Sequence, residues 1–112
     1  GVVTADGSHL PAQYMIDGGP SVLFDAVALV LSAEGAEMLA KEATARDFVA
    51  DAFAHCKFIA FTAEAAPLLE KAGVAPDADE GLIPLEGAAS VSTFLASCRK
   101  LRLWAREAAV KL

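Results

Sequence analysis

The sequence predicts an α/β domain built on a mainly parallel sheet, and three observations predict it. Two aliphatic runs of strand length, Asp25 to Leu31 and Phe58 to Thr62, proceed without the alternation of a half-exposed strand. Such runs are buried on both faces, as in a parallel sheet covered by helices. Each run leads into a stretch with helical spacing of its apolar residues, so strands and helices alternate along the chain.

The elements follow in order. Val2 to Thr4, Ala5-Asp6-Gly7 and Leu10 to Ile16 read as a short hairpin whose Asp-Gly supplies the tight turn, with Pro11 marking an edge strand. Gly18-Gly19-Pro20 breaks the chain before the strand at Asp25 to Leu31. From Ala36 to His55, Met38 and Leu39, then Phe48, Val49, Ala52 and Phe53, fall on one face of a helix with a break near Thr44. Phe58 to Thr62 is the next strand, and Glu64 to Ala72 a helix that admits Pro67 in its first turn and stops at Gly73. Pro76 to Gly81 is a loop, and Leu82 to Leu85 a short strand whose Pro84 suits an edge. Ser90 to Leu112 closes the chain as one long helix, with Val91, Phe94, Leu95, Cys98, Leu101 and Ala105 on its packing face.

Composition narrows the function. The 112 residues hold one domain, 1–112, and 55% apolar with 7% aromatic residues describe a folded, alanine-rich and valine-rich interior. Fifteen acidic against nine basic side chains give a net charge of -6, which repels phosphate backbones and argues against nucleic acid as a partner. The longest apolar run, Ala26 to Leu31, is far short of the ~20 residues of a membrane helix, so a membrane is not an expected partner. Cys56 and Cys98 stand apart without metal or redox spacing and read as small core hydrophobes in a reducing, cytoplasmic setting. The first residue is Gly1 and not methionine, which fits a cleaved or excised product.

Several segments together carry a family resemblance. Asp51-Ala52-Phe53-Ala54-His55-Cys56-Lys57 running into Phe58-Ile59-Ala60, with Pro67-Leu68-Leu69-Glu70-Lys71-Ala72-Gly73-Val74 beyond it, resembles the carboxyl-terminal domain of large-subunit haem catalases. Ala5-Asp6-Gly7-Ser8, Pro20 to Val27, Asp79-Glu80-Gly81 and Trp104-Ala105-Arg106 extend the likeness over nearly the whole chain. The resemblance implies a three-layer flavodoxin-like sandwich of the class I glutamine amidotransferase superfamily, lacking its first strand-helix-strand. It also implies a parent enzyme that breaks down hydrogen peroxide under oxidative stress with haem as cofactor. No cofactor is expected in this chain: the haem-facing histidine and asparagine and the Arg-x-x-x-Tyr of the proximal ligand are not found, and Tyr14, the one tyrosine, has no suitable arginine before it.

Active relatives in that superfamily place a nucleophilic cysteine on a strained strand-to-helix turn, in a pattern such as Lys-Pro-Val-Ala-Ala-Ile-Cys-His-Gly. The matching stretch is Lys57 to Ala65, which puts Ala63 where the cysteine would stand and Glu64 where the histidine would. A methyl group cannot attack a carbonyl, so Thr62, Ala63 and Glu64 form a pseudo-active site, a degenerate elbow that keeps the ancestral shape without its chemistry. The Thr62 hydroxyl could substitute as a nucleophile, but a strand-end threonine without a histidine is the ordinary packing residue.

Other candidates read more plainly as structure. His55 and Cys56 are neighbours at the amino end of a strand, whereas ligands of open α/β sheets bind at the carboxyl ends. Asp77, Asp79, Glu80 and Gly81 lack the regular oxygen spacing of a calcium loop and read as a solvated acidic turn, and no metal is expected. Arg99, Lys100, Arg102 and Arg106 make a basic cluster for an anion or, more simply, a solvated or subunit-facing surface. Trp104 reads as core or interface.

The expected role is a non-catalytic accessory domain that adds stability or subunit contacts, with the remainder of the catalase subunit as partner. The alternatives are a chaperone-like or small-ligand binding module and, against Ala63, a cysteine-dependent amidotransferase or peptidase relative. Loss of the first strand-helix-strand would leave the Asp25 to Leu31 strand with an open edge, so self-association, as a homo-oligomer, is expected as well.

Overall fold

A computed structural model describes residues 1–110. A short antiparallel hairpin pairs β1 (Val2–Val3) with β2 (His9–Leu10). Its turn is built by Asp6, whose carboxylate accepts from Thr4 Oγ1, Ser8 N and Ser8 Oγ, and by Gly7 at φ +86°, where a side chain would be strained. The second strand is shorter than expected: after Pro11 the chain leaves the hairpin, and Ile16–Gly18 forms a 3-10 turn.

The main sheet is parallel, in the order β3 (Ala26–Leu29), β4 (Phe58–Phe61), β5 (Leu82–Pro84). Val27 lies beside Ile59 and Ile59 beside Leu82. Helices α1 (Ala33–Ala40), α2 (Ala43–Ala54) and α3 (Ala66–Lys71) belong to the crossovers between these strands and lie on one face, where Val27, Leu29, Val49, Ile59, Phe61, Leu68 and Leu69 form the larger core. Helix α4 (Ala88–Cys98) covers the other face over β4 and β5, and a smaller core there joins Phe58, Ile83, Leu103 and Phe94. This is the α/β sandwich with a parallel sheet that the alternation predicted.

Local chemistry sets the boundaries. Ser32 caps α1 by accepting from Gly35 N. The predicted break falls at Lys41 and Glu42, just before Thr44, and makes two helices of one pattern. Pro67 sits in the first turn of α3, and Gly73 at φ +83° stops that helix, as expected. Ser90 Oγ accepts from the Glu86 and Gly87 amides at the start of α4.

Two expectations are corrected. The strand at Asp25 to Leu31 is not buried on both faces: Val27 and Leu29 are buried, whereas Ala28 and Val30 are exposed, and α4 packs chiefly on β4 and β5. The closing helix does not run from Ser90 to Leu112. It ends at Cys98, Leu101 turns the chain with a φ of +66°, and Trp104–Ala109 forms a 3-10 segment; residues 111 and 112 lie outside the described residues. The helical period persists past Cys98, but Leu103 and Arg106 gain more by turning back onto the amino end of the sheet, where Leu103 N donates to Cys56 O.

Candidate functional site

The stretch aligned with the nucleophile elbow lies at the carboxyl end of β4, where a site in an open α/β sheet is expected. Its backbone is relaxed. Thr62 is extended (φ -75°, ψ 154°), Ala63 opens a 3-10 turn that runs into α3, and the non-glycine residues with positive φ are Cys56 and Leu101. The strained shape expected at Ala63 is thus absent: with no side chain to thrust outward, an unstrained turn is preferred there.

Thr62 is committed to structure. Its Oγ1 lies 3.1 Å from Leu31 O and 3.4 Å from Leu29 O, and accepts from Leu31 N at 3.2 Å, so the hydroxyl ties the end of β3 to the end of β4. None of these partners is a histidine, and His55 lies at the other end of β4, exposed, with Nδ1 2.8 Å from Asp51 O. Ala63 and Glu64 are exposed. A thiol introduced as Ala63→Cys is therefore expected to alkylate faster than Cys56, which is 3% exposed, and than Cys98, whose pKa burial pushes up. Competitive labelling followed by peptide mass analysis checks this.

Cys56 is buried just after the end of α2. Its N–H donates to Phe53 O and that of Lys57 to Ala52 O, the closure of a helix whose next residue is left-handed. That position normally favours glycine, and Cys56 holds it at φ +62°. Histidine and thiol have different surroundings, solvent and core, which fits the structural reading of the pair.

The polar chemistry of this fold concentrates at the amino end of the sheet, on residues that the sequence marked as surface. Arg106, expected in a solvated basic cluster, is 3% exposed. Its Nε lies 2.6 Å from Asp79 Oδ2 and its Nη2 2.9 Å from Oδ1, a two-pronged pair. Nη1 donates to Phe53 O (3.1 Å) and Lys57 O (2.8 Å), and the guanidinium lies 4.2 Å from the centre of the Phe53 ring. Asp79 correspondingly leaves the solvated acidic turn, where Glu80 remains exposed. Among the described residues no group of three or more histidine, cysteine or acidic side chains could hold a metal ion.

The other members of the basic cluster separate. Arg99 and Lys100 are exposed, while Arg102 Nη1 donates to Leu101 O at 2.9 Å and lies 4.0 Å from the Asp25 carboxylate. Lys57, not singled out in the sequence, is 1% exposed and its ammonium donates to Val22 O (3.2 Å) and Phe24 O, fastening the approach to β3. Burial, then the charge of Arg102, lowers its pKa, with Asp25 opposing. Trp104 is 65% exposed, so it is not a core residue.

Burial pushes the Asp79 carboxyl upward, but the hydrogen bond and charge of Arg106, with the Gly81 amide, outweigh it and leave the pKa below its ordinary 3.8. A depressed folded pKa contributes stability above the unfolded value and loses it as pH falls through the folded one. Acid unfolding should therefore steepen below about pH 4 in the natural chain, and Asp79→Asn should remove that component while lowering stability at neutral pH. Denaturant unfolding at a series of pH values reads both.

Known proteins share this arrangement's sequence. The family described as the C-terminal domain found in long catalases matches residues 16–108. The chain is 56% identical over 112 residues to Catalase C of Rhizobium meliloti (strain 1021), covering all of this chain and 16% of that protein. It is 28% identical over 110 residues to Catalase HPII of Pseudomonas putida, covering 98% of this chain and 15% of that protein. It is 35% identical over 75 residues to Catalase-1 of Neurospora crassa, covering 67% of this chain and 10% of that protein. The chain thus spans about one sixth or less of the length of the curated relatives it matches. The family match covers most of the chain, and the parallel sheet is consistent with it: this chain belongs to the family of C-terminal domains of long catalases.

Proposed function

We propose that the chain is a non-catalytic accessory domain of a long haem catalase, contributing stability or subunit contacts while hydrogen peroxide is broken down elsewhere in the polypeptide. The observation that carries this reading is the turn at Thr62, Ala63 and Glu64. By the resemblance it stands, with a methyl group, where the superfamily's nucleophile would be, and the one hydroxyl beside it is held by three backbone groups of the β3 end.

The surroundings of the one tyrosine do not fit a haem ligand. Tyr14 is exposed, packs edge-on against Phe24, and borders an open cleft of about 530 Å³ shared with Met15, Ile16 and Phe48, whose lining includes no arginine to stabilise a tyrosinate.

On this reading residues 1–112 act as one domain whose partner is the remainder of the catalase subunit, within a homo-oligomer in the cytoplasm, where Cys56 and Cys98 stay as free thiols. No helix among the described residues is long and apolar enough to cross a membrane. The exposed apolar residues Val30, Leu95 and Trp104 also favour a second reading, a binding module for unfolded chains or a small apolar ligand.

The test is removal of this segment from the full-length polypeptide. At a permissive temperature the peroxide turnover per haem should stay within about twofold, since no group acting on the reaction is lost. A loss of about ten-fold or more with haem retained would contradict a non-catalytic role.

A further inference from the structure

We propose that the cleft between the end of α2 and the closing 3-10 segment is a binding site for a free apolar α-amino acid, whose carboxylate meets Arg102, whose ammonium meets Glu107 and whose side chain lies against Val22 and Trp104. The cleft holds about 200 Å³ at the amino end of the sheet, away from the turn at Ala63, which follows the other end of β4.

Stretches far apart in sequence build the walls, and buried contacts fasten them. The approach to β3 contributes Val22, held by the Lys57 ammonium, which donates to Val22 O at 3.2 Å and to Phe24 O. The end of α2 contributes Ala54. The closing segment contributes Arg102, Trp104 and Glu107, and is pinned by Leu103 N on Cys56 O at 2.7 Å and by the Arg106–Asp79 pair. A cleft whose walls are already fastened binds without first having to order them.

The backbone gives a second sign. Among the described residues, the non-glycine positions with a positive φ are Cys56 at +62° and Leu101 at +66°. Cys56 lies in the cleft wall and Leu101 immediately precedes Arg102. Such conformations cost of order 1–3 kcal/mol each and gather at ligand clamps. Here the two left-handed residues bring the end of α2 and the closing segment together, where Leu103 N meets Cys56 O.

Charge selects the ligand. Arg102 uses Nη1 for Leu101 O (2.9 Å) and Asp25 O (3.4 Å), and among the described residues its Nε and Nη2 have no hydrogen-bond partner. The charge of Arg102 reaches Lys57, whose pKa is lowered by burial first and by Arg102 second, so an anion beside Arg102 relieves repulsion between the two cations. A bare dianion is opposed by Glu107 and by Asp25, whose carboxylate lies 4.0 Å from Arg102 Nη1. A bare cation is opposed by Arg102 and Lys57. An uncharged apolar ligand would strip water from Arg102 and Glu107 without replacing it. An apolar amino acid satisfies all of these groups: its carboxylate accepts from Arg102, its ammonium donates to Glu107, and its side chain covers Val22 and the exposed Trp104.

Size agrees with this ligand. Sites for drug-sized molecules run to about 300–1,000 Å³. A cleft of about 200 Å³ suits one amino acid and leaves out a dinucleotide or a longer peptide. The terminal residue of a peptide carries only one of the two charges and cannot meet both Arg102 and Glu107. Ligands of open α/β sheets usually lie at the carboxyl ends of strands, where the turns after the strands form the site. This cleft is built instead by α2, the approach to β3 and the closing segment, so that preference does not govern it.

The experiment is equilibrium dialysis of the full-length polypeptide against isotope-labelled L-leucine, with leucinamide and N-acetyl-L-leucine as competitors. Saturable binding of leucine is expected. Each competitor should bind at least about ten-fold more weakly than unlabelled leucine, since each lacks one of the two charged groups. Arg102→Gln and Glu107→Gln should each weaken leucine binding at least about ten-fold as well. If either variant does not fold, the competitor series on the unsubstituted polypeptide decides the matter. Absence of leucine binding would overturn the proposal. So would equal competition by N-acetyl-L-leucine, which would mean that an anion alone is taken, or by leucinamide, which would mean a cation alone. Leucine binding that survives both substitutions would place the site elsewhere and overturn it too.

Discussion

Arg106→Ala is expected to be the most damaging single change in this fold, costing about 3–5 kcal/mol, the usual effect of removing one partner from a buried ion pair. The guanidinium joins three separate stretches: the end of α2 through Phe53 O, the start of β4 through Lys57 O and the loop before β5 through Asp79. Without it Asp79 loses its partner, the two carbonyls lose a donor, and the ring of Phe53 loses its stacking cation. Gly81→Ala should act on the same clamp from the other side, because a Cβ there would run into the Arg106 guanidinium and lie 2.9 Å from Leu103. Arg106→Lys should rescue little, since a lysine cannot make the two-pronged pair and reach both carbonyls. For a domain whose total stability is of order 5–15 kcal/mol, Arg106→Ala removes a large share. Denaturant unfolding reads it: a loss under about 1 kcal/mol would mean the clamp is dispensable.

Phe61→Ala is the second large effect, expected at about 3–5 kcal/mol. Phe61 is buried at the carboxyl end of the central strand, within the larger core, and its carbonyl accepts from Leu85 N while the Thr62 amide beside it donates to Leu29 O. A cavity there undermines the point at which all three strands are held in register. The damage should be greatest at the turn that follows, so hydrogen exchange at Thr62 and Ala65 should rise more than at Ile59. A uniform rise across β4 would show instead that the sheet opens as one unit.

The fold was legible where a residue's neighbours in sequence decide its state. The aliphatic strands, Pro67 inside a helix start and Gly73 as a helix stop are local signals, and the structure follows them. What was not legible depends on partners distant in the chain. Arg106 and Asp79 are 27 residues apart, and nothing near either one marks it as buried, so each read as solvated surface. Lys57 fastens carbonyls 33 and 35 residues before it, and a lysine beside a strand carries no sign of that. The apolar spacing from Val91 to Ala105 is truly helical in pattern, yet the chain turns at Leu101 because Leu103 and Arg106 have better partners against β4 than along a helix. The same limit applies to β3, whose composition is that of a fully covered strand while the residues described cover only one of its faces.

That Ala63 stands in place of a nucleophile is what the resemblance implies, whereas the hydrogen bonding of Thr62 Oγ1 to the backbone of Leu29 and Leu31 is visible only once β3 and β4 are side by side. The relaxed backbone at Ala63 was not foreseen, because the resemblance carries the shape of the active relatives and the strain has a purpose only when a nucleophile must be presented.

The most direct test of the proposed accessory role is the rate of thermal inactivation of the full-length polypeptide, on the proposed reading a catalase, with and without residues 1–112, at a temperature where the intact polypeptide loses its peroxide turnover over hours. An accessory role predicts that the shortened enzyme inactivates at least about ten-fold faster while its initial turnover is preserved, because this domain acts on stability and subunit contacts and not on the reaction. Equal inactivation rates with a lowered initial turnover would contradict it.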